Sequence, residues 1–337
     1  MAERSSLTQA IQIGIETTPG TPVAATKRLS ALGIAPSITV TNATFRPTGS
    51  KFNAVSALGK EWTTSALSGS ATYTELIYAL ASVIGNANVV NTANVYTWGF
   101  TANPYTSDNV QTYTIEHGSS VRADQFSYGL ITEFNMTFNR ENVSLGGSMM
   151  GRAIVDGFSM TSAANVTALP LVPVIPTQVS VYLDNEGGSF GTTKLTRMIS
   201  TEFAMAARFA PLWVLDAANP SYVTHIETAP DSHVAMTLEA DAQGMGLLNN
   251  LRAGDVHLLR IRAIGANIAG GSTPFSLTID QKILITATGG FSDASGVYAI
   301  EFTGTSVYTG TGTNPSYGGS TANSALGITI VNNIASL

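Results

Sequence analysis

The chain has 337 residues, of which 44% are hydrophobic and only 11% charged, with a formal net charge of −6 and no cysteine. The missing cysteines exclude a disulfide framework, a zinc finger and thiol catalysis, and the acidic balance argues against a surface built to neutralise nucleic-acid phosphates. Typical soluble domains carry about 25% charged residues, so a chain this poor in charge is expected to have much of its surface covered in an assembly.

Residues 1–8 lack the apolar centre of a signal peptide, and no window approaches the roughly 18 apolar residues of a membrane helix. A soluble product of a cytoplasm is expected. Residues 11–15 alternate as a short strand and run into a segment containing Pro19, Gly20 and Pro22. Two prolines remove backbone donors there, and the glycine permits a turn. Residues 1–25 therefore read as an N-terminal arm with little to bury in its own domain. Ile11, Ile13, Glu16, Pro19, Gly20 and Pro22 are the residues expected to reach a neighbouring subunit. Residues 38–45 and 61–67 read as strands.

Thr72 and Glu75 have capping-box spacing ahead of a helix with Tyr73, Leu76, Ile77, Leu80 and Ile84 on one face, closed by Gly85. Residues 111–117 alternate again. Residues 130–138 alternate with a period of two, with Leu130, Thr132, Phe134, Met136 and Phe138 on one face and Ile131, Glu133, Asn135 and Thr137 on the other. A turn at residues 139–142 leads into residues 143–149, a hairpin with one buried and one wet face.

Residues 160–168 are small and polar, and residues 169–177 hold three prolines, which fits a semi-rigid linker rather than a central strand. The predicted organisation is an arm over 1–25, a first β domain over 26–168, the linker over 169–177 and a second β domain over 178–337. In the second domain, residues 179–184, 234–239, 275–286 and 297–303 read as strands. Asp241 caps a helix through Met245, Leu248 and Leu251 that ends at Arg252 and Gly254. Residues 309–321 form a loop rich in Gly, Ser and Thr.

Each predicted helix follows one strand and precedes another, and Thr132, Glu133, Phe134 and Met136 recur as Thr201, Glu202, Phe203 and Met205. The two observations together suggest an internal duplication. His117, His225, His233 and His257 lack metal-ligand spacing, and no phosphate loop, nucleophile elbow or dinucleotide fingerprint is present. Glu116, Glu133, Glu202, Asp280 and Glu301 each fall in a predicted strand. They read as a solvated face, as a glycosidase pair, or as an acidic wall lining a channel. Their place on long hairpin strands adds weight to the last.

Residues 11–25, 144–152, 191–200 and 208–216 together resemble the tail tube proteins of bacteriophages with long, non-contractile tails. That resemblance implies β-sandwich domains with a flanking helix, here two in tandem, assembling as stacked rings around a channel for DNA. It implies a virion tail protein made in the host cytoplasm, with other tail proteins at the tube ends, no membrane, no cofactor, no metal and no enzymatic activity. A duplicated chain would form trimeric rings with pseudo-sixfold symmetry, and an unduplicated one hexamers. Under the resemblance, the lumen is lined by Glu116, Glu133, Asn135 and Thr137 in the first half and by Glu202, Asp280 and Glu301 in the second, with Lys282 diluting the charge. Other virion or surface β proteins, such as a decoration or fibre module, form the alternative. Trp62, Trp98 and Trp213 sit in apolar surroundings, which suits core or interface packing better than a sugar platform.

Overall fold

The computed structural model describes residues 8–85, 87–119, 121–216, 219–294 and 296–337. The chain is mainly β, with two α-helices among the described residues.

The first strand, Ala10–Ile15, pairs with Lys27–Leu29 on one side and Tyr113–Gly118 on the other. Tyr113–Gly118 pairs with the N-terminal part of Ala123–Phe138, whose other edge takes Val155–Phe158. The strand Ala123–Phe138 then passes into a second sheet. There its C-terminal part pairs with Val143–Gly151, which pairs with Val55–Ser70, which pairs with Leu32–Phe45.

The second half follows the same order. Val179–Asn185 pairs with Val256–Asn267, which pairs with Pro274–Thr288. The N-terminal part of Pro274–Thr288 takes Leu326–Asn332 on its other edge, and its C-terminal part takes Val297–Ser306. Val297–Ser306 continues through Asp231–Glu239 to Met198–Ala206. In each half an α-helix, Leu76–Val83 or Ala242–Ala253, follows the same strand of the order.

The recurrence extends to a defect. Both crossing strands carry a bulge, at Thr132 between the pairs Ile131–Met149 and Glu133–Ser148, and at Thr286 between Ile285–Gly304 and Ala287–Thr303. Each bulge hydroxyl donates to the carbonyl across the ladder, Thr132 to Ser148 and Thr286 to Thr303, both at 3.3 Å. An unpaired extra residue leaves the ladder locally open, and a threonine side chain fills the lost bond. The sequence echo has a different basis. The two strings lie on neighbouring antiparallel strands, with Met205 opposite Phe134 and Thr201 opposite Phe138. This pairing joins the halves into one sheet.

The apolar parity of these strands forms the core. Phe134, Met136, Phe203, Met236, Phe302 and Ile285 are all buried on one side of the joined sheet. The first helix is buried at every residue, so its apolar residues surround it rather than form one face. Thr72 Oγ1 accepts from the Glu75 amide as expected, but the Glu75 carboxylate turns away from the helix and accepts from the amides of Ser30, Ala31 and Leu32. Asp241 caps the second helix through the amides of Gln243 and Gly244, and Gly254 ends it in the left-handed region.

Two expectations are corrected. The stretch 8–25 is part of the body. Ile13 and Gly20 are buried, and the buried Glu16 accepts from Gly20 N, Tyr128 N and the hydroxyls of Thr112 and Thr114. Ile11 is half-buried on its paired strand, and only Pro19 and Pro22 of the proposed arm residues are exposed. Four local donors on one carboxylate hold the turn that the prolines shape, so it needs no partner subunit. The linker is extended but docked: Leu169 and Val174 are buried, Val174 N donates to Ala71 O, and Tyr73 N donates to Val172 O.

Candidate functional site

The joined sheet has a second face, opposite the core. Following the register across it gives Ala35, Ser37 and Thr39, then Thr64, Ala66 and Ser68, then Ser144, Gly146 and Ser148, then Glu133, Asn135 and Thr137. Across the junction it continues with Glu202 and Ala204, then His233, Ala235 and Thr237, then Glu301, Thr303 and Thr305, and ends at Ala287. Every one of these residues is small, polar or acidic. The strands alternate by two, so one face can be apolar while the other carries these residues; where the register runs on, Trp62 opposite Thr39 and Met150 opposite Thr64 end the polar stretch in a small apolar cluster.

Five of the seven sequence-derived lumen residues, Glu133, Asn135, Thr137, Glu202 and Glu301, share this face. Glu133 and Glu301 are exposed, and Glu202 is half-buried. Asn135 Nδ2 donates to Glu202 Oε1 at 3.0 Å across the junction. Glu202 lies directly opposite Thr137, and Glu301 opposite Thr237. Among these residues, His233 is the single titratable base, and its ring lies 3.4 Å from Asp231. A glycine leaves room on this face where the strands crowd: a Cβ on Gly146 would stand 2.4 Å from Asn135 Oδ1.

Glu116 and Asp280 do not belong to the face. Glu116 is fully buried and accepts from Ala25 N, Thr161 N and Thr161 Oγ1. Asp280 is fully buried against Arg260, whose Nε donates at 2.6 Å and Nη2 at 2.7 Å; that hydrogen bonding raises the Arg260 pKa. Lys282 is buried as well and donates to Glu186 and Thr309. The Thr309 hydroxyl, and then Lys282, hold the Glu186 carboxyl below its usual range. The physical reason is shared. Both acids lie where the strand is covered on both faces, whereas Glu133, Glu202 and Glu301 stand on the face of the joined sheet opposite the core. Sequence reading missed Ser37, Thr39, Thr64, Ser148, Thr237 and Thr303, because small hydroxyl residues carry no chemical signature of their own, and it noted His233 without placing it on this face. The alternation of Thr64, Ala66 and Ser68 with Thr63, Ser65 and Leu67 was the available sign.

A second polar cluster lies inside the protein. Arg208 is buried and pairs with Asp108 and Glu227, while its Nε donates to Val83 O at 3.0 Å at the end of the first helix. Burial pushes the Asp108 carboxyl up against the pull of Arg208. Arg208 and Glu227 border an open cavity of about 480 Å³ with Tyr105 and Tyr308 among its lining residues. Both acids already have a partner in the guanidinium, so the cluster reads as a staple between segments.

Among the described residues no three His, Cys, Asp or Glu side chains converge to hold a metal ion, and no helix is long and apolar enough to cross a membrane. Neither a scan against protein-family models nor a search of curated proteins returns a match for this chain.

Proposed function

We propose that this chain is a structural subunit of a phage tail tube. Copies join edge to edge into rings, the rings stack, and the small polar face lines a channel through which DNA passes. The chain works by assembly, without cofactor or catalysis, in the virion tail. Other tail proteins would close the ends.

The observation that carries this reading is the junction between the halves. The C-terminal part of Ala123–Phe138 pairs with Met198–Ala206. By the recurring strand order, the same two positions are repeated at the ends of the sheet, in the stretch 285–294 and in Leu32–Phe45. Both present an open edge, which in an isolated chain invites pairing. Repeating the internal junction between copies gives a head-to-tail contact that closes into a ring when the rotation allows. The junction also steps: the row through Ala35, Ala66 and Ser148 reaches Glu133, whereas the next row starts opposite Thr137, four residues on. A fixed stagger of this kind is what a closed barrel needs. Three copies would supply six such units. An acidic, small-residue wall repels phosphates over a Debye length of about 8 Å at physiological salt, so DNA would slide without sticking.

Applied between copies, the junction register sets Ser292 of one copy against Ala35 of the next. The chain has no cysteine, so a variant carrying Ala35→Cys and Ser292→Cys reports that contact cleanly. Paired strand positions lie about 4.5–5.5 Å apart at Cα, within disulfide reach. Mild oxidation of concentrated protein should give a covalent ladder that ends at three copies, with hollow tubes in electron micrographs. A ladder to six would keep the tube and change the ring. Uncross-linked monomers or solid fibres would overturn the reading in favour of a decoration or fibre module.

A further inference from the structure

The chain between the strands Val95–Phe100 and Tyr113–Gly118 borders two cavities. The one already described, of about 480 Å³, has Tyr105 and Tyr308 among its lining residues, and a second, of about 450 Å³, has Asn88, Tyr317 and Asn323. The two share Ala102, Asn103 and Pro104, so they lie side by side along one loop. Met205, Ser232 and Ser306 line the first cavity from the joined sheet, with the parity of the buried Phe203, Val234 and Phe302. The pair of cavities therefore lies on the side of the sheet away from the small polar face.

Local hydrogen bonds hold the lining in place. Asn103 Oδ1 accepts from Tyr105 N at 3.1 Å and from Thr106 N at 3.3 Å. Asn103 N donates to Asp108 Oδ1, and Asp108 N donates to Glu227 Oε2. The loop so fixed carries Tyr105, which is 79% exposed and meets Tyr308 edge to face at 5.8 Å between centroids. Tyr308 Oη in turn donates to Asn323 Oδ1. The buried Gln281 donates from Nε2 to the hydroxyls of Ser232 and Ser306, and Ser306 Oγ donates to Ser232 Oγ at 2.9 Å. Ser232 Oγ thus accepts twice, and its own hydrogen is left to donate. The same accounting leaves the Nδ2 groups of Asn103 and Asn323 as donors.

Charge narrows the ligand. Arg208 is the single cation among the lining residues, and Asp108, Glu227 and the carbonyls of Val83 and Ile84 already engage it. No free positive charge remains for a phosphate or an acidic sugar. An aliphatic ligand would leave the serine and asparagine donors without partners. A neutral molecule with an apolar face for an aromatic ring and hydroxyls along its edge satisfies both demands, and a pyranose is such a molecule.

We propose that these cavities bind a neutral oligosaccharide, with one ring against Tyr105 and Tyr308 and the next toward Tyr317, and with Ser232, Asn103 and Asn323 donating to its hydroxyls. Each volume lies within the range of small-molecule sites, about 300–1,000 Å³. Sugar binding does not rest on the tube reading. In a tube, the side away from the polar face is the outside, so the same sheet would meet DNA on one side and glycan on the other.

Saturation-transfer NMR on the full chain tests this, with neutral trisaccharides of glucose, galactose, rhamnose and N-acetylglucosamine as probes. At least one should receive transfer. Tyr105→Ala should weaken its binding about fivefold or more, and Tyr105→Phe, which keeps the ring, should retain it. Tyr105 is exposed, so both variants should fold as wild type does. Ser232→Ala should weaken the same sugar through the lost donor. Silence from every probe, or binding that Tyr105→Ala leaves unchanged, overturns the proposal. A preference for sialylated or sulfated sugars does so too, as does capture of uncharged peptides at these tyrosines in place of sugar. The cysteine ladder described above is read without sugar, so the groove and the tube can fail separately.

Discussion

Buried polar side chains do much of the fastening in this protein, and each makes a different demand on the chain. Arg208 is surrounded by two carboxylates and two helix-end carbonyls, so removing it leaves charges without a partner. Arg208→Ala should lower the unfolding free energy by about 3–5 kcal/mol in urea titrations, whereas a joint Arg208→Met, Asp108→Asn, Glu227→Gln change should cost far less. His257 is buried with Nε2 unpartnered, and burial lowers its pKa from 6.5. Between the lowered value and 6.5 the unfolded chain binds the extra proton, so stability rises with pH through that window and is fully present above it. Urea midpoints should therefore fall on acidification from pH 7 to 5, and His257→Leu should flatten that slope. Glu16, Glu75 and Glu116 illustrate why acids mislead a sequence reader: each is a hub for backbone amides, and nothing in its neighbours' identities announces the fact.

Strands and helices were legible to the degree that their pattern was local. The hairpin of residues 130–149 and the second helix, with Asp241 and Gly254 at its ends, follow from alternation and capping alone. The first helix did not, since a helix buried on all sides has no stripe to read, and its capping acid serves another segment. Residues 8–25 looked like an arm because two prolines and a glycine hide the fact that a carboxylate and its four donors hold the turn. Of the polar face, the acids were visible but the hydroxyls and glycines that make it flat were not. Gly147, on the core side of the same strand between Phe134 and Leu67, was equally silent. Its φ of +147° and the 2.1 Å approach to the Glu133 carbonyl both exclude a side chain. Gly147→Val should destabilise the hairpin by about 2 kcal/mol or more, read as a fall in melting temperature, while Ser148→Ala on the same strand should change little.

At the scale of the whole molecule, one sheet carries both halves, with the core on one side and the polar face on the other. In the tube reading, Glu133→Lys with Glu202→Lys leaves the backbone ladder intact, so tubes should still assemble. Cationic side chains would grip phosphates, and DNA ejection from virions built with them should slow. Ejection at the normal rate would remove these acids from the channel wall. The recurring register adds a last consequence. Glu133, Glu202 and Glu301 occupy positions that in the other half hold Ala287, Ala35 and Gly146. The backbone therefore repeats twice per chain and the charge only once. In a ring of such chains, scattering from the backbone would index at twice the order of any property that follows charge, such as the positions of bound counterions. The two counts, taken on one specimen, would separate half-chains from chains without resolving a single side chain.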